Sequence, residues 1–156
     1  LKLLDIDPKE WAQVLAVNLT GVFSCVQAEI AQMVQQEAGG SIVNTASICG
    51  LVALPHATAY NSAKHGVIGL TKSAAVEYGP KKIRVNAVCP GFIDTPMLAK
   101  GAGASQEVLD GVVRQLPIRR IADPSEVADV VAWLMSPHSS YVTGVAMPID
   151  GGWTAQ

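Results

Sequence analysis

Three short apolar segments, at 41–47, 83–89 and 145–149, stand far apart in the chain, and helical patterns fill the gaps between them. Antiparallel neighbours can be joined by a tight turn, but strands separated by helices need crossover connections. Crossovers of this kind give parallel strands with right-handed connections in an α/β sheet. The first segment, Ser41-Ile42-Val43-Asn44-Thr45-Ala46-Ser47, is apolar without strict alternation and predicts a strand buried on both faces. The element order predicted is α-β-α-β-α-α-β. Open parallel sheets bind ligands at the carboxyl ends of their strands. Here those ends are Ser47, Cys89-Pro90-Gly91 and Ile149-Asp150-Gly151, and a site is expected around the first two.

The opening helix has a plain start signal, with Asp7 as N-cap, Pro8 at the first helical position and Glu10 placed to complete a capping box. Trp11, Val14, Leu15, Val22, Val26, Ile30 and Met33 recur at spacings of three and four and give it one apolar face. Gly39 and Gly40 end it. A second helix runs from Thr58 to Tyr78 and stops at Gly79-Pro80. The stretch 92–120 is the least regular, with Thr95-Pro96, Gly101, Gly103 and a short helical pattern at Val108, Leu109, Val112 and Val113. Asp123-Pro124-Ser125-Glu126 repeats the start signal for the last helix.

At 156 residues the chain is about one domain. It is 49% hydrophobic and 15% charged, which excludes disorder, a state that needs low hydrophobicity and high net charge. A net charge of −2 argues against nucleic-acid binding through a basic face. No apolar run approaches the ~18 residues of a membrane span. Cys25, Cys49 and Cys89 are scattered and odd in number, a poor disulfide framework and a poor metal site, so a reducing cytoplasm is expected. The chain begins with Leu, which hints at a piece of something longer.

Asn18 lies on the apolar stripe of the first helix, where an amide must find partners or cost stability. Backbone bonding and a functional role are both open for it. Tyr60 and Lys64 are four residues apart and share a helix face. An ammonium so placed favours phenolate and would lower the tyrosine pKa towards acid/base work. A surface Tyr beside a solvated Lys is the alternative. Ser47 ends the first strand, placed to hydrogen-bond a substrate oxygen or simply to open a loop, and no Gly-x-Ser-x-Gly elbow surrounds it. His56, His65 and His138 show no triad or metal spacing, and no metal site is expected.

Taken together, Asn18, Ser47, Tyr60-Asn61-Ser62-Ala63-Lys64 and Pro90-Gly91-Phe92-Ile93-Asp94-Thr95 resemble the short-chain dehydrogenase/reductase family. The stretches Val17–Gly21, Gly40–Ser47, Ile83–Gly91 and Tyr141–Gly152 extend the resemblance over essentially the whole chain. It implies a Rossmann-like doubly wound parallel sheet, of which these residues would be the C-terminal part of seven strands in a single domain. It also implies NAD or NADP as cofactor and a small secondary alcohol or ketone as substrate. Tyr60 would exchange the proton with the reacting oxygen. Lys64 would lower the Tyr60 pKa and hold the nicotinamide ribose. Ser47 would polarise the substrate carbonyl, and Asn18 would anchor a water. Pro90 and Gly91 would lie under the nicotinamide, with Ile93 and Thr95 touching its carboxamide and a phosphate. Residues 92–120 would form a mobile substrate lid, whose apolar Phe92, Met97, Leu98 and Leu109 weakly favour an apolar or alicyclic substrate, with a 3-oxoacyl-thioester reductase and a polyol dehydrogenase as alternatives within the class. A homotetramer or homodimer is implied for the full-length form. The family's glycine-rich pyrophosphate turn is not found in these residues, so roughly 90 upstream residues are expected and the fragment alone should be inactive. A non-catalytic binding or oligomerisation module is the rival reading.

Overall fold

The computed structural model describes residues 2–101 and 105–156, with the side chains of residues 99–101 and 106 left aside. Helix α1 (Pro8–Leu15) starts where proline presets φ and the Asp7 carboxylate accepts from the Lys9 amide at 2.8 Å. The reciprocal bond expected from Glu10 does not form there. It does form at helix α6 (Pro124–Met135), where Asp123 accepts from Ser125 and Glu126 accepts from the Asp123 amide at 2.9 Å. The opening helix is also not one α-helix. Residues Ala16–Thr20 form a π turn before helix α2 (Gly21–Met33), and the Gly21 amide donates to the Ala16 carbonyl. A π turn inserts a residue without breaking the helix, so the apolar stripe survives and the slip stays hidden in the spacing.

Strands β1 (Gly40–Thr45), β2 (Ile83–Pro90) and β3 (Ala146–Ile149) pair in that order, all parallel. Helix α3 (Thr58–Tyr78) crosses over between β1 and β2. Helices α4 (Pro96–Gly101), α5 (Gln106–Gln115) and α6 lie between β2 and β3. On one face Val26, Ile30, Ala74 and Ala75 pack on Ile42, Ile83 and Val85, and Val67 and Ile68 pack on Ala87 and Cys89. On the other face α6 lies against β1 and β2. This is the Rossmann-like, doubly wound α/β arrangement. Central β2 is buried on both faces, whereas β1 buries Ile42 and Asn44 but exposes Thr45. The two-sided burial expected of β1 therefore fails, because β1 is an edge strand here.

Buried polar groups in the sheet are paired, as burial requires. Asn44 donates to Thr71 Oγ1 at 2.9 Å, and Thr71 donates to the Val67 carbonyl at 2.8 Å. Asn86 donates to the Val142 carbonyl and accepts from the Val145 amide, which fixes where β3 enters the sheet. Arg84 donates to the carbonyls of Leu134 and Ser136 at the end of α6.

The continuous helical stretch Pro8–Met33 carries one departure from the sequence reading. It is 26 residues long with mean hydropathy 1.5 in its most apolar window, enough by length and composition to cross a membrane. Small residues interleaved with apolar ones raise that average without making an unbroken apolar run. Only 11% of that window is buried, with Val26 and Ile30 packed against α3 and β1.

Candidate active site

Ser47 lies just past β1, where the Ala46 amide still donates to the Val88 carbonyl at 2.9 Å and holds the chain on the sheet. Its backbone is extended, and its hydroxyl accepts from the Cys49 amide at 3.1 Å to open the short turn Ile48–Gly50. That turn approaches α3 so closely that a Cβ on Gly50 would stand 2.7 Å from the Lys64 carbonyl. Tyr60 sits in the first turn of α3 and Lys64 one turn on, so the fold brings both beside Ser47. The Lys64 ammonium lies 5.4 Å from the centre of the Tyr60 ring and donates to the Thr45 carbonyl at 3.0 Å.

The electrostatics differ from the expectation. Burial pushes the Tyr60 phenol above its ordinary value, hydrogen bonding with Ser47 pulls it partly back, and Cys49 adds to the rise. The Lys64 ammonium is itself buried, which lowers its own pKa. Two groups escaped the sequence reading. The Cys49 and Cys89 thiols both meet Ser47, one at its hydroxyl and the other at its backbone amide, and burial raises both pKa values. The pairing of Thr45 with Val88 sets this arrangement, and no local pattern reveals it.

The remaining site residues lie at or near the end of β2. Pro90 ends the strand. The Gly91 amide donates to the Ile149 carbonyl at 2.9 Å, and a Cβ on Gly91 would strike Asp150 at 2.9 Å. Phe92 meets the Trp153 ring edge-on at 5.2 Å, and Ile93 forms a β-bridge with Ala122. Thr95 turns back on its own segment, donating to the Ile93 carbonyl and accepting from the Leu98 amide. Leu98 is half-buried, but Met97 is 76% exposed, so the structure does not bring it to the cluster. Asn18 lies in the π turn and donates to the Val14 carbonyl at 3.1 Å, the backbone-bonded alternative. The lid expectation spans residues 102–104, which lie outside the described residues.

The family described as Enoyl-(Acyl carrier protein) reductase matches residues 1–154. The chain belongs to the short-chain dehydrogenase/reductase family. Among its relatives in this family, a cyclohexanol dehydrogenase of Acinetobacter sp. (strain SE19) is 44% identical over 94% of this chain and 55% of the relative. The crystal structure of levodione reductase superposes with TM-score 0.96 at 36% identity, over 99% of this chain and 62% of that one. 4-Hydroxyisoleucine dehydrogenase complexed with NADH superposes with TM-score 0.93 at 32% identity, over 99% of this chain and 63% of that one. The chain thus spans about three fifths of the length of the short-chain dehydrogenases and reductases it matches.

Proposed function

We propose that the complete protein is an NAD(P)-dependent oxidoreductase acting on a secondary alcohol or ketone, with Tyr60 as its acid/base. The observation that carries this reading is the convergence of Ser47, Tyr60 and Lys64 at the carboxyl end of β1. Hydride transfer to a carbonyl builds negative charge on its oxygen, and preorganised donors aimed at that oxygen lower the barrier. A phenol with a raised pKa is protonated at neutral pH, the form that donates to such an oxygen. The Ser47 hydroxyl supplies the second donor. A bound nicotinamide cofactor supplies or accepts the hydride. The residues present suit its nicotinamide end: Lys64 offers a desolvated ammonium for ribose hydroxyls, and the Pro90-Gly91 turn packs so closely that a Cβ on Gly91 would stand 2.9 Å from Asp150. Lys64 is proposed to position the cofactor and, with its ammonium 5.4 Å from the Tyr60 ring, to favour the phenolate when the proton leaves.

Ile93 and Thr95 are proposed to touch the cofactor, Phe92 and Leu98 the substrate, and Met97 the substrate only once the segment closes. Asn18 is proposed to hold a water for proton exchange. The apolar character of Phe92 and Leu98 supports an alicyclic substrate. The complete protein is proposed to be a cytoplasmic homotetramer or homodimer built on α2, α3 and β3, supported by exposed Phe23, Val34 and Val76. Light scattering of the complete protein tests this, and a strict monomer at micromolar concentration overturns it.

Tyr60→Phe decides the central claim. It keeps the ring and removes the transferable proton, so turnover in the complete enzyme falls by about 10²–10⁴-fold with little change in thermal stability. Wild-type turnover by this variant at saturating cofactor refutes the assignment.

A further inference from the structure

The last seven residues fold into a hook, and Asp150 organises it. One carboxylate oxygen accepts from the Gly152 amide at 2.9 Å. The other accepts from the Thr154 amide at 2.9 Å and the Thr154 hydroxyl at 2.6 Å. These bonds wind residues Trp153–Ala155 into a single turn.

The hook touches both ends of the irregular stretch that leaves β2 and returns before α6. At the outgoing end, Trp153 packs edge-on against Phe92. At the returning end, the Ile118 amide donates to the Gly151 carbonyl at 3.2 Å, and Gln156 donates to the Gln115 carbonyl at 3.0 Å. The two ends are also tied to each other, because Ala122 donates to the Phe92 carbonyl and Asp94 donates to the Ala122 carbonyl. A pocket of about 310 Å³ opens between Phe92, Leu116, Ile118, Ile149 and Asp150.

We infer that Asp150 is a positioning residue for substrate binding, holding the hook that fixes both stems of the substrate-facing segment. This rests on the oxidoreductase reading above. The Asp150 atoms that stand closest to the Gly91 position are Cα and Cβ, 2.9 Å from where a Cβ on Gly91 would lie, and alanine keeps both. Removing the carboxylate therefore frees the stems while leaving the packing behind the cofactor turn intact.

The test compares Asp150→Ala and Thr154→Val with the parent in the complete protein. It measures substrate KM, kcat, NADH and NADPH binding, and hydrogen exchange at 92–95 and 115–118. Asp150→Ala is expected to raise substrate KM about tenfold with a smaller fall in kcat and little change in cofactor affinity. Exchange should accelerate in both stems together. Thr154→Val removes one hydroxyl and moves the same quantities less. If Asp150→Ala does not fold, Thr154→Val decides alone. Unchanged stem exchange, or an unchanged substrate KM in a folded variant, overturns the inference. If the parent protein shows no NAD(P)-linked turnover, the functional reading fails, and stem exchange alone then decides whether the hook does its structural work.

Discussion

Lys64 is 8% exposed, and its ammonium donates to the Thr45 carbonyl. Replacing a buried ammonium by an apolar side chain of similar length leaves no unpaired charge and is often neutral for stability. Lys64→Met should therefore leave the melting temperature nearly unchanged while weakening cofactor binding by roughly ten- to a hundredfold, the scale of a hydrogen bond to a charged group. A fluorescence titration of NADH against the complete protein checks it, and undiminished affinity removes Lys64 from the cofactor site. Tyr60 gives a complementary test. Its folded-state pKa is raised, chiefly by burial, so its proton is held more tightly folded than unfolded. That contribution to stability is complete below pH 10 and is lost as pH rises through the folded value. An ultraviolet titration should show one tyrosine ionising later than the ordinary range, and Tyr60→Phe should delete that step.

Among the elements, α6 begins with a complete capping box and α1 with half of one. Asp123→Ala should cost about 1 kcal/mol in denaturant unfolding of the complete protein, and Asp7→Ala less. Equal losses would mean that the box adds nothing. Glu126 also accepts from Arg120, chiefly through that bond, and its carboxyl is lowered to about 2. The sign is that of a depressed acid: the contribution is present above pH 4.5 and is lost as pH falls towards 2. The Tyr60 helix and β2 were legible because propensity, apolar pattern and stop signals agree over 58–78 and 83–89. The π turn was not, since a one-residue slip within an apolar helix leaves spacings of three and four intact. Ser47, Tyr60 and Lys64 were legible as residue types at fitting positions. The raised Tyr60 pKa, the two thiols around Ser47 and the Asp150 hook were not. Each depends on groups that meet only after distant segments pair.

At the scale of the whole molecule, β1 has no strand on its outer edge among the described residues, and Val17, Phe23 and Val76 are apolar and exposed. Such an edge invites association. Expressed alone, these 156 residues should self-associate and bind NADH or NADPH poorly. Light scattering with a cofactor titration checks this, and a cooperative monomer with micromolar affinity contradicts it. The all-parallel sheet has a kinetic consequence as well. Gly40 must find Ile83 and Ala87 must find Ala146, and among the described residues no hairpin supplies a nearby nucleus. The entropy of closing such long loops is spent before any ladder repays it, which slows folding relative to helical or hairpin-rich chains of the same size. The helices can form early, but β2, buried along most of its length in the finished fold, stays uncovered until both neighbours arrive. The time spent waiting for those partners is when this chain is most exposed to misassembly.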